Sequence, residues 1–126
     1  MDSARTAQRL IGAPVTILYR RTRTQMPAAP EEVGGALEEG NRLEPLVAPI
    51  EILRDGGHIV GVRCVRNELG EPGPDGRRLP RAISGSVFIV ECDTVIVAVG
   101  QLPELAFLDG SRVTRHAKGG VTVDSA

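Results

Sequence analysis

Residues 58–69 alternate apolar and polar side chains, and they follow directly on a two-glycine turn. Ile59, Val60, Val62, Cys64 and Val65 are apolar, whereas Arg63 and Arg66 carry charge. A period near two marks a strand whose faces meet different surroundings, because successive side chains point to opposite sides. Asp55-Gly56-Gly57 immediately before it supplies the positive-φ positions of a tight hairpin. Residues 43–48 and 50–53 read as the strand entering that hairpin, broken or bulged at Pro49, since proline lends no N–H to a ladder. Residues 70–81 are polar and rich in Gly and Pro, so they read as a surface loop. Residues 87–90 read as a returning strand. Residues 50–91 are therefore expected to form an antiparallel three-stranded meander.

Ahead of the meander the period is helical. In residues 2–12, Ala4, Ala7, Leu10 and Ile11 fall near one face. Asp2 or Ser3 can cap the start, and Gly12 can end the helix. Residues 15–19 are short, apolar and β-branched, the pattern of a strand buried on both faces. Arg20, Arg21 and Arg23 follow at once. Residues 26–30 read as a loop, and Pro30 suits the first turn of a second helix with Glu31 and Glu32 near its positive end. Val33, Ala36 and Leu37 give that helix an apolar stripe, and Gly40 ends it. Gly34 and Gly35 weaken it by about 1 kcal/mol each relative to alanine.

Beyond the meander, residues 94–99 form the most hydrophobic run, ending in Gly100. They read as a buried parallel strand whose C-terminal end opens into a loop containing Gln101 and Pro103. Gly119-Gly120 precedes a last short strand at residues 121–123. Strands alternating with helices argue for an α/β chain built on a parallel sheet. The strand that would lead into the first helix is not in the sequence.

Length and composition exclude several alternatives. A chain of 126 residues suits one domain. Its hydrophobic fraction of 41%, with two Phe, one Tyr and no Trp, predicts an aliphatic core. A net charge of −1 creates no general attraction to nucleic acid or membrane. No apolar run approaches the roughly 18 residues of a membrane span, and the N-terminus lacks the apolar region of a secretory signal. A cytoplasmic location is expected. Cys64 and Cys92 have no Cys or His companion at metal spacing, so they read as two reduced, buried thiols. His58 and His116 fall in expected turns with no nucleophile or acid at a recognisable spacing, and they read as surface residues.

Several strings together resemble one family. MDSARTAQRL, VTILYRRTRTQMPA and the helix ending ALEEG are similar to the second nucleotide-binding domain of glutamate synthase small subunits. VRCVRNELGEPGPDGRR and DTVIVAVGQLPE resemble the meander and the flavin-directed strand of the same family. The resemblance covers nearly the whole chain, in order. It implies a partial Rossmann-like parallel sheet lacking its first strand, with the meander inserted at about residues 50–91 of a single, truncated domain spanning residues 1–126. It also implies membership of the FAD-dependent pyridine nucleotide-disulfide oxidoreductase superfamily.

In that family a glycine-rich turn before the first helix holds the dinucleotide pyrophosphate, and here Met1 stands where the helix is already under way. The implied function is an NADPH-binding module of a flavin- and iron–sulfur-dependent oxidoreductase. NADPH binding by the chain alone is expected to be weak or absent, with FAD and iron–sulfur clusters held only by the parent enzyme. Its partners would be the remainder of the flavoenzyme or its larger subunit. A sheet with an open edge also invites strand pairing, so a homodimer and a non-catalytic interaction role stand as the alternative.

Within such a fold, Arg20, Arg21 and Arg23 are the cofactor-binding candidates. The end of the second strand approaches the adenosine ribose, where an acid selects NAD and arginines accept the 2′-phosphate of NADP. Guanidinium groups match phosphate oxygens geometrically and keep their charge. The sequence has no acid between this strand and Glu31. Gly100 is a further candidate, because a strand ending in glycine lets a cofactor approach the backbone. No catalytic residue and no metal site is expected. Arg77 and Arg78 read as solvated.

Overall fold

The computed structural model describes residues 1–100, 103–116 and 120–123. Gln101 and Gly119 lie outside the described residues. The chain divides into two compact units, Met1–Ile96 and Val97–Ala126.

The first unit opens with helix α1, Asp2–Ile11, which ends where Gly12 turns left-handed at φ 67 and donates its N–H to Gln8 O at 2.8 Å. Met1 occupies the N-cap without a side-chain bond, and Asp2 sits in the first turn. The expected cap at Asp2 or Ser3 is thus displaced, and Asp2 acts through the helix dipole instead. The apolar face foreseen for α1 exists but is only partly covered: Ala4 and Ala7 are half-buried, no α1 residue is fully buried, and Leu10 is 80% exposed. The helix is held through charge, by Arg5 and Arg9 on Glu39.

Strand β1, Thr16–Tyr19, runs parallel to β2, Arg42–Pro45, and helix α2, Pro30–Glu38, joins them. This is a strand–helix–strand unit of the kind that parallel pairing requires. Pro30 opens α2, and Glu32 accepts the Ala29 backbone N–H at 3.1 Å, half of a capping box. Val33 and Ala36 are buried, as the stripe predicted. Asn41, also buried, locks the end of α2 to the start of β1: its Nδ2 donates to Ala36 O at 3.0 Å and its Oδ1 accepts from Val15 N at 3.1 Å. β1 is half-buried rather than buried on both faces. Among the described residues it pairs on one edge only, with β2.

The meander is present as β3, Val47–Asp55, β4, His58–Pro72, and β5, Arg78–Val90, in that order in one antiparallel sheet. Gly56 and Gly57, at φ 53 and 88, form the two-residue hairpin turn between Asp55 and His58. Both positive φ values suit the turn whose twist matches paired strands.

Two boundaries differ from expectation. The break between β2 and β3 falls at Leu46, a non-glycine residue at φ 57, while the Pro49 region carries a register shift inside β3. The loop expected over residues 70–81 shrinks to residues 73–77, because β4 and β5 continue pairing to Pro72 and Arg78. Arg78 supports that extension: its Nε donates to Gly70 O and its Nη2 to Leu69 O, both at 2.8 Å.

The core joins the two sheets. Val47, Val62 and Cys64 are buried at its centre, with Leu18 of β1, Phe88, Val90, Cys92 and Val95 packed against them. It is aliphatic apart from Phe88, over whose ring the Arg66 guanidinium sits 4.7 Å from the centroid. Cys64 and Cys92 are free thiols, the first buried and the second half-buried.

Residues 94–99 do not form the expected buried strand. No ladder includes them, and Val97 and Val99 are exposed, the latter by 91%. A parallel strand needs a hydrogen-bonded neighbour on its edge, and among the described residues none pairs with this run. In the second unit, β6, Arg115–His116, pairs with β7, Gly120–Val121. Arg115 braces that unit through Leu105 O at 2.6 Å and Asp109 Oδ1 at 2.7 Å. Among the described residues, no helix is long and apolar enough to cross a membrane.

Candidate functional site

The C-terminal end of β1 carries the arginine-rich turn. Tyr19 Oη donates to Gln25 O at 2.8 Å, folding residues 20–25 back over the strand end. Arg23–Gln25 form a short 3-10 turn, and the Thr22 and Thr24 hydroxyls lie 3.0 Å apart. Arg23, Thr24, Met26, Ala28, Pro30 and Val33 line an open hollow of about 320 Å³ next to the start of α2. Its lining is apolar at Met26, Ala28 and Val33, with Arg23 at its margin.

The three arginines differ in surroundings. Arg20 and Arg23 are exposed. Arg21 is only 5% exposed, and its Nε donates to Arg78 O at 2.9 Å across the tip of the β4–β5 hairpin. The charge of Arg21 also reaches Asp75 in that tip. Asp75 is held below the usual carboxylate range, first by the hydrogen bonds of the Arg77 side chain and backbone, and less strongly by the charges of Arg77 and Arg21. Arg77 and Arg78 are exposed, as expected, but both are engaged: Arg77 Nε meets Asp75 Oδ2 at 2.9 Å, and Arg78 ties its own hairpin.

Two residues at this turn escaped sequence reasoning. Asn67 of β4 is 6% exposed, and its Nδ2 donates to Arg20 O at 3.0 Å. Leu46 donates its N–H to Arg21 O at 3.0 Å and accepts from Asn67 N at 2.7 Å. A left-handed non-glycine conformation costs on the order of 1–3 kcal/mol and persists only where neighbours impose it. The available signal for Asn67 was an amide breaking the apolar series Val62, Cys64 and Val65 within one strand. Leu46 carried none.

Gly100 belongs to the second unit. It adopts φ 132, and a Cβ built on it would meet nothing within 4 Å. Its backbone therefore calls for glycine on conformational grounds. His58 and His116 lie exposed on strands rather than in loops, at the start of β4 and in β6. Among the described residues, no group of three or more His, Cys, Asp or Glu side chains is placed to hold a metal ion.

A parallel strand–helix–strand unit carrying an antiparallel meander is a fold that this chain shares with a thioredoxin reductase. The chain superposes on the crystal structure of T. acidophilum thioredoxin reductase with a TM-score of 0.64, covering 89% of this chain and 31% of that one at 22% identity, a likeness of fold. In sequence the chain is homologous to a segment of the glutamate synthase small chains and of NADPH-dependent oxidoreductase beta subunits. It is 50% identical over 109 residues to the NADPH-Fe(3+) oxidoreductase subunit beta of Geobacter sulfurreducens, covering 86% of this chain and 16% of that protein. It is 43% identical over 124 residues to the NADP(+)-dependent formate dehydrogenase subunit beta of Moorella thermoacetica, covering 98% and 17%. It is 42% identical over 104 residues to the glutamate synthase [NADPH] small chain of Escherichia coli strain K12, covering 82% and 22%. The chain thus spans less than a quarter of the length of these relatives. No family model matches it.

Proposed function

We propose that the chain serves as the NADPH-binding module of a flavin- and iron–sulfur-dependent oxidoreductase, and that Arg20, Arg21 and Arg23 form the subsite for the adenosine 2′-phosphate. One observation carries the reading: a strand of a nucleotide-type sheet ends in a cationic turn beside an apolar hollow. In this reading the exposed guanidinium groups of Arg20 and Arg23 meet the phosphate oxygens, Arg21 adds charge from below, and the hollow beside Arg23 takes the adenine. The names of the relatives, each carrying NADPH or NADP(+), support the coenzyme. Gly100 is assigned to the nicotinamide end, where an open backbone lets the ring approach.

Hydride chemistry is supplied by the coenzyme when bound, and the chain contributes binding and orientation. Iron–sulfur clusters are usually held by four cysteines, and this sequence has two, with no group of three or more metal-ligating side chains among the described residues, so we assign such clusters to other parts of the enzyme, and the FAD likewise. The remainder of the flavoenzyme, or a larger subunit, is the proposed partner, and the cytoplasm the proposed location.

Calorimetric titration with NADPH, NADH and 2′-phospho-ADP-ribose tests the reading. The phosphorylated ligands are expected to bind more tightly than NADH, weakly in absolute terms. Arg20→Ala with Arg23→Ala should lower the affinity for 2′-phospho-ADP-ribose about tenfold or more, the scale of a lost charged hydrogen bond. Equal binding of NADPH and NADH would refute the assignment.

A second reading rests on residues 94–99, an apolar segment outside any ladder in which Ile96, Val97 and Val99 are exposed. Unpaired strand edges recruit other chains, and a homodimer paired along this segment would make the chain an oligomerisation module. Light scattering over a concentration series distinguishes the two: a monomer throughout removes this reading.

A further inference from the structure

The Arg20-Arg21 dipeptide is held at once from strands β4 and β5 and from the turn between β2 and β3. Arg20 O accepts from Asn67 Nδ2 at 3.0 Å, and Arg21 O accepts from Leu46 N at 3.0 Å. Arg21 Nε donates to Arg78 O at 2.9 Å. Leu46 and Asn67 are themselves joined, with Asn67 N donating to Leu46 O at 2.7 Å. Both backbone carbonyls of the dipeptide are therefore fixed, while the Arg20 side chain stays exposed. Asn67 is the centre of this bracket: its side chain holds Arg20, and its backbone holds the residue that holds Arg21.

We propose that Asn67 is a positioning residue for coenzyme selection, setting the backbone from which Arg20 meets a 2′-phosphate, so that the meander takes part in choosing NADPH over NADH. This inference rests on the nucleotide reading above. Its physical basis is preorganisation. A ligand that must order a loose turn loses affinity to that ordering, whereas a turn already fixed by buried hydrogen bonds does not. A deeply buried amide beneath an exposed guanidinium supplies rigidity without competing for the ligand. A merely structural Asn67 would change stability and leave the ratio of ligand affinities alone.

The test uses the full chain and two probes, adenosine 2′,5′-bisphosphate and ADP, titrated by NMR so that weak binding is measurable. In the wild type the bisphosphate should bind more tightly. Asn67→Ala should weaken the bisphosphate about fivefold or more while ADP changes less than about twofold, because only the phosphate contact depends on the fixed turn. Arg20→Ala is the control for the underlying reading. If the wild type does not favour the bisphosphate, the nucleotide reading falls and this inference with it. If Arg20→Ala abolishes the preference and folded Asn67→Ala retains it, the positioning role alone is overturned. Should Asn67→Ala not fold, the side-chain amide resonances of Asn67 in the wild type decide the matter. They should shift with the bisphosphate and not with ADP, and resonances that stay in place would overturn the proposal.

Discussion

Arg5 Nη2 lies 2.6 Å from Glu39 Oε1, so the first helix is tied to the end of the second by a single carboxylate. Arg9 reaches the same oxygen. The Arg5 guanidinium also lies against the backbone at Gly35, with Cζ 3.5 Å from where a Cβ would stand. Since α1 buries no residue of its own, this clamp holds it in place.

The clamp should titrate. Hydrogen bonds from Arg5 and then Arg9 hold the Glu39 carboxyl down at about 2, from an ordinary value of 4.5. The folded value lies below the unfolded one, so the stabilisation is complete above about pH 4.5 and is lost as pH falls toward 2. Hydrogen-exchange protection of the α1 amides, taken relative to the intrinsic exchange rate at each pH, should fall over that window. Glu39→Gln should show fast α1 exchange already at neutral pH, and α1 protection that does not respond to acid in wild-type protein would contradict the clamp.

Core burial predicts a sharp contrast between two valines of the same meander. Val47 is fully buried at the centre of the cluster, whereas Val87 is exposed on the opposite face. Val47→Ala should destabilise by about 2 kcal/mol, from lost transfer energy and a residual cavity. Val87→Ala should stay within about 0.5 kcal/mol of wild type. Urea unfolding of the two variants measures both.

Two glycines should respond with opposite signs. A Cβ at Gly34 meets nothing within 4 Å, and the residue lies inside α2. Gly34→Ala should therefore stabilise the chain by about 1 kcal/mol through helix propensity. At Gly61 a Cβ would come 2.9 Å from Val90 O and 3.2 Å from Ile89 Cγ2, in the middle of β4. Gly61→Ala should cost about 1–3 kcal/mol by forcing β5 away. Thermal melts that rank the two variants the other way round would show the packing at β4 and β5 to be wrong.

The two thiols should react slowly and in a fixed order. Burial pushes the Cys64 thiol up, with nearby Cys92 adding to it. Burial and the charge of Asp93 also push the Cys92 thiol up, but Cys92 is only half-buried. The thiolate is the reactive form. Alkylation of native protein near pH 8, followed by peptide mass spectrometry, should modify Cys92 first, with Cys64 protected until unfolding. Equal labelling rates would count against the buried position of Cys64.

The sequence by itself determined the elements whose causes are local. Gly56-Gly57 can adopt two successive positive φ values at little cost, and alternation on either side sets which faces are apolar, so the hairpin of β3 and β4 was readable. Pro30 with Glu31 and Glu32 opens α2 for reasons confined to one helical turn. The short run before Arg20 could be read as a strand for the same reason. The resemblance of whole strings then pointed to the family, and the homologues bear it out.

Only the tertiary structure decided what covers those elements and what they hold. An apolar period says that a face can be buried and says nothing about whether a partner is there, which is why residues 94–99 were expected to form a buried strand, yet of them only Val95 packs on the core while Ile96, Val97 and Val99 are exposed. Arg78 prolongs the meander through carbonyls at Gly70 and Leu69, a bond pattern that no local propensity for Gly or Pro encodes. The strained turn at Leu46, the amide of Asn67 under Arg20 and the burial of Arg21 all arise where three strands converge. Hydrogen bonds between residues 47 and 57 positions apart depend on how distant segments meet, and a pattern read along the chain carries no record of that meeting.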